Sequence, residues 1–112
     1  MINDILKDTL KTVHDYVYKQ GSAPDELPPL YITFFSVSSV TDRYDNNEFV
    51  AKWRAQTVIY GVDPVAVAEL AERAREAAKN AHFIPIGKGN DLISGDPLYT
   101  GWLQEYYYFE KE

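Results

Sequence analysis

Residues 48–61 read EFVAKWRAQTVIYG, and the rest of the chain can be arranged around them. Alternate positions Phe49, Ala51, Trp53, Ala55, Thr57 and Ile59 are mostly apolar, with Lys52, Arg54 and Gln56 between them. A period of two marks a half-buried antiparallel strand: one row of side chains enters a core and the other meets water or a partner. Just before it, residues 30–41 (LYITFFSVSSVT) are rich in aromatic and β-branched residues and predict a second strand. Its Tyr31, Phe35 and Val37 lie on one face, Ile32 and Phe34 on the other. Residues 42–47, DRYDNN, have turn composition, because Asp and Asn tolerate left-handed backbone and cap turns locally. The three segments predict a β-hairpin with strands of roughly ten residues or more, longer than the usual ~5–6. A hairpin that outgrows its sheet either lies against another subunit or ends in a free tip.

Outward from the hairpin, two helices are expected. Residues 2–20 carry Ile2, Ile5, Leu6, Leu10, Val13 and Val17 at three- and four-residue steps, one apolar stripe of an amphipathic helix. Asn3 and Asp4 suit its first turn, and Gly21 followed by Ser22, Ala23 and Pro24 would end it. Residues 25–29 (DELPP) form an extended connector, since two prolines oppose helix. Asp63 and Pro64 open the second helix as N-cap and first helical residue. Its body buries Val67, Leu70, Ala71, Ala74, Ala78 and Ala81, while Glu69, Glu72, Arg73, Arg75, Glu76 and Lys79 make a solvated face with neighbouring charge pairs.

Residues 83–86 predict a short edge strand, where Pro85 is tolerated, and residues 87–91 (GKGND) a turn. Residues 99–110 (YTGWLQEYYYFE) predict a closing strand with Trp102, Tyr106 and Tyr108 on one face and Leu103, Tyr107 and Phe109 on the other. Apolar groups on both faces fit a strand covered by helices on one side and by something else on the other, because large wet aromatic faces are rare in free monomers. The expected architecture is one α+β domain over residues 1–112: a mixed, mainly antiparallel sheet with a long hairpin and two helices on one face.

Composition limits function. A chain of 112 residues with 46% hydrophobic and 25% charged residues is an ordinary single globular unit. Its nine tyrosines either mark a surface that meets another protein or simply pack within strands. The absence of cysteine excludes disulfides, thiol catalysis and cysteine-bound zinc. The first residues, MINDILKDTLK, are not the basic start and apolar run of a signal peptide, and no stretch approaches the ~20 apolar residues of a membrane span. A net charge of −6 opposes binding to phosphate backbones, so partners are expected to be proteins.

No catalytic constellation is expected. His14, on the first helix, reads as solvated or capping rather than a metal ligand, and His82 sits at a helix end. No serine lies on a nucleophile elbow. The GKGND run lacks the spacing and closing Lys-Ser/Thr of a phosphate loop, and Asn90, Asp91 and Asp96 lack the spacing of a calcium loop. No cofactor, metal or enzymatic activity is expected.

Four features taken together resemble the tail terminator and tail-completion (head–tail joining) proteins of long-tailed bacteriophages. They are the proline-led strand PPLYITFF, the Asp/Asn turn leading into EFVAKWRAQTVIYG, the helix ending at AHF, and the closing DPLYTGWLQEYYYF. The resemblance spans nearly the whole chain; the acidic DELPP connector and the alanine-heavy second helix depart from it. It implies a virion subunit, made in the host cytoplasm, that forms a ring, typically a hexamer, on the head-proximal end of the tail tube. Such a ring stops tube growth and meets the head connector, and DNA passes through its acidic channel without being bound. Its subunits would contact one another, the tube protein and the connector. Candidate contact residues are the hairpin tip (Asp42, Arg43, Tyr44, Asp45, Asn46) and the closing strand (Tyr99, Trp102, Tyr106, Tyr108). Lys52 and Arg54 would either meet an acidic neighbour or stay solvated. Other readings are a neighbouring connector or minor tail component, a small ligand-binding or enzymatic α/β domain, and an adaptor or toxin-system partner of the same fold class.

Overall fold

The computed structural model describes residues 2–43, 49–92, 95 and 97–111. Their elements run α1 (Ile2–Lys11), β1 (Val17–Lys19), β2 (Leu30–Arg43), β3 (Phe49–Gly61), α2 (Pro64–Asn80), β4 (Ile84–Leu92) and β5 (Thr100–Lys111). The strands form one sheet in the order β1-β2-β3-β5-β4. All pairings are antiparallel except β1 with β2. The fold is the expected α+β arrangement, with β3 at the sheet's centre.

Both helices lie on one face. Ile2, Leu6 and Leu10 of α1 and Val67, Leu70, Ala74 and Ala78 of α2 join Ile32, Phe34, Ala55, Ile59 and Tyr106 of the sheet in one core, with Val17 and Phe83. The alanines keep α2 thin enough to lie close to the strands. Asp63 caps α2, its Oδ1 accepting from Val65 N at 3.0 Å, with Pro64 behind it. At the other end His82 takes φ 72° and Phe83 N donates to Ala78 O at 2.9 Å, a Schellman closure that drives Phe83 into the core.

Two sequence expectations, on the first helix and on residues 87–91, are corrected by these elements. The first helix ends at Lys11, not near residue 20. Thr9 Oγ1 donates to Ile5 O and Thr12 Oγ1 to Thr9 O, at 2.7 and 2.6 Å, and Val13 N and His14 N both turn back to Leu10 O. The following Tyr16-Val17-Tyr18 run is a better strand than helix, and Val17 is buried as the start of β1, opposite Ile32. His14 is therefore in the connection rather than on a helix, and its Nε2 donates to Leu30 O at 2.7 Å, tying α1 to the start of β2.

The second correction concerns residues 87–91, which form part of β4 rather than a turn. Along β4 the pairing steps from Ile86 to Asn90 while β5 steps only from Glu105 to Leu103. The extra residues form a bulge in which Gly87 and Gly89 take φ 72° and 86°, values that glycine adopts without strain. β4 is the edge strand expected for Pro85.

The hairpin is as long as expected: β2 has 14 residues and β3 13. It does not extend alone, because β5 follows β3 as far as the Val50–Lys111 pair. The arm is three strands wide and gives the molecule principal extents of 52 × 26 × 24 Å.

Candidate functional site

The register sorts the predicted contact residues between two faces. Tyr44, Asp45 and Asn46 lie outside the described residues. Asp42 and Arg43 belong to β2 rather than to a turn, their backbones paired with Val50 and Phe49. Trp102, Tyr106 and Tyr108 lie on the helix-covered face. Tyr106 is 1% exposed, packed edge-to-face with Phe83 at 6.1 Å between centroids, so it is core and not contact surface. Trp102 and Tyr108 pack against the same core, Tyr108 at 4.7 Å from Phe83. Burial also pushes the Tyr106 pKa up to about 12, partly offset by the Arg75 charge and the Thr57 hydroxyl. Tyr99 is half-buried: its hydroxyl donates to Pro28 O at 3.0 Å, tying the DELPP connector to the start of β5.

Lys52 and Arg54 lie on the other, helix-free face, where side chains stand in rows across the strands. One row is Tyr31, Tyr60 and Gly101; the next Thr33, Val58, Leu103 and Asn90. Then come Phe35, Gln56, Glu105 and Ile86, and then Val37, Arg54, Tyr107 and Ile84, with Phe109 beyond them opposite Lys52. Three bands result. At the end nearest the connector, Tyr31 packs against Tyr18, Tyr60 and Tyr99 at centroid distances of 6.3, 5.3 and 5.9 Å, covering that end from within the chain. In the middle Arg54 Nε donates to Glu105 Oε2 at 2.5 Å, and this contact raises the Arg54 pKa above its ordinary value. Towards the arm Lys52 Nζ sits 4.2 Å from the Tyr107 ring centroid. Around it Val37, Ile84 and Phe109 are 54%, 50% and 45% exposed. This last band is apolar, carries the Lys52 cation in an acidic chain, and has no cover among the described residues.

A second feature lies under α2. Ala68, Ala71, Glu72 and Arg75 of the helix face Lys88 of the β4 bulge and Trp102 and Gln104 of β5 across a cleft of about 160 Å³. Gln104 is buried, and its Nε2 donates to Ile86 O and Glu105 O at 3.3 and 2.9 Å, holding the bulge to β5. Arg75 Nη2 reaches Gly87 O only at 3.4 Å, and its Nε is buried without an acceptor among the described residues. Sequence reading placed Arg75 on a solvated face and Lys88 in a turn. The available signal was Arg75's position one helical turn after Ala71 and one before Ala78, at the margin of the buried stripe.

Among the described residues no three His, Asp or Glu side chains come together as metal ligands, and no helix is long and apolar enough to cross a membrane. The chain matches no model of a known protein family and no curated protein by sequence.

Proposed function

We propose that the chain is an assembly subunit of a long-tailed phage virion, capping the head-proximal end of the tail tube as a ring and joining it to the head connector. The observation that carries this reading is the apolar band of Val37, Tyr107, Phe109 and Ile84 on the helix-free face. Exposed apolar groups gathered on one sheet face gain free energy when another surface covers them. A ring needs two different patches on each subunit, meeting head to tail. The band supplies one, and the three-stranded arm reaches beyond the core to supply the other. A net charge of −6 suits a channel that DNA must traverse without sticking. The resemblance described from the sequence supports the same reading.

The test is Val37→Lys. Val37 is 54% exposed, so the fold should change by no more than about 0.5 kcal/mol. Assembly alone, or on added tail-tube protein, should fall sharply when a charge enters the apolar band. Unchanged assembly by the variant would reject this surface as an interface.

A further inference from the structure

We propose that the cleft between α2 and the β4 bulge binds a compact monocarboxylate, its carboxylate between Arg75 and Lys88 and its apolar body against Trp102. The inference does not rest on ring formation, and single and assembled subunits should bind alike.

Arg75 provides the first argument. A guanidinium is always charged, and a half-buried one normally has a carboxylate or several acceptors. Among the described residues Arg75 forms no ion pair; it has one long hydrogen bond to Gly87 O and a buried Nε with no acceptor. Tyr106, the phenol its charge reaches, stays neutral up to a pKa of about 12 and so supplies no counter-charge. The remaining donors of the planar fork suit a bidentate oxyanion.

The bulge provides the second argument. Two positive-φ glycines flank Lys88, and the inserted residues place it on the cleft wall opposite the helix. Gly89 closes that wall tightly: a Cβ there would stand 2.6 Å from Trp102 Nε1 and 3.0 Å from Gln104 Oε1. An ordinary edge strand would continue its pairing here, whereas this one departs from it and presents a lysine.

Charge and size define the ligand. Arg75 and Lys88 against Glu72 leave the cleft one positive charge, which a monoanion balances and a dianion exceeds. The volume of about 160 Å³ equals roughly five water volumes, enough for a small ring bearing one carboxylate. Ala68, Ala71 and the Trp102 indole give such a body apolar walls.

The experiment titrates the ¹⁵N-labelled chain with benzoate, with neutral benzamide and inorganic phosphate as comparisons, following the Trp102 indole N–H. Benzoate should move that resonance saturably, benzamide should not, and phosphate should compete poorly. Arg75→Gln should weaken benzoate at least about tenfold, the scale of a lost charge-assisted hydrogen bond. Lys88→Gln, on the exposed bulge, should weaken it in the same direction and serves if the Arg75 variant fails to fold. Absence of saturation, equal response to benzamide, or full binding by a folded Arg75→Gln or Lys88→Gln chain would overturn the proposal.

Discussion

His82 holds a left-handed helix-end position that is usually given to glycine. At φ 72° its Cβ is strained, yet this residue sets the turn that carries Phe83 into the core. His82→Gly should therefore stabilise the fold by about 1 kcal/mol in denaturant unfolding, and a loss would mean that the imidazole makes a contact outweighing the strain. Tyr106 makes a second prediction. Its folded pKa, about 12, lies above the ~10 of an unfolded tyrosine, so its contribution is complete below pH 10. As pH rises from there towards 12, the unfolded chain loses the proton first and stability falls. The loss should reach roughly 2–3 kcal/mol, and Tyr106→Phe should flatten it. Neither property is legible in sequence. His82 can be seen at a helix end but not in a left-handed turn, and the face shared by Trp102, Tyr106 and Tyr108 can be read from alternation, but only the register shows that the helices cover it.

At the level of elements, alternation and capping were readable where a single pattern was possible. Residues 49–61 alternate with period two, and Asp63-Pro64 starts a helix by two independent effects, so both were placed within a residue of their bounds. Asp63→Ala should cost about 1 kcal/mol, measured by thermal or urea unfolding, and a neutral result would show that Pro64 alone defines the start. Where two structures share one pattern, reading failed. Val17 continues the stripe of α1 at the right spacing, but the threonines at positions 9 and 12 close the helix and the β-forming run beyond them enters the sheet. Gly-Lys-Gly-Asn-Asp is equally good composition for a turn or a bulge, and only pairing with β5 separates them. The cleft was invisible for a related reason: Arg75, Lys88 and Trp102 come from three elements whose juxtaposition is a property of the sheet order.

At the scale of the molecule, the sheet has one face filled by helices and one divided between a self-covered tyrosine end and an uncovered apolar end. Sequence reading anticipated two-sided apolarity in β5 and linked it to a partner. It assigned that role to the helix-covered face for Trp102, Tyr106 and Tyr108, since parity along a strand does not say which side the helices take. The radius of gyration, 14.9 Å, exceeds the ~13 Å of a compact chain this long, in keeping with an arm built to reach past its own core. Sedimentation of the 12.8 kDa chain, alone and with tail-tube protein, measures the central claim most directly. The account predicts a discrete closed oligomer, formed alone or on the tube, that Val37→Lys reduces to the folded monomer. A wild-type chain that stays monomeric at every concentration, with or without tube protein, would contradict it.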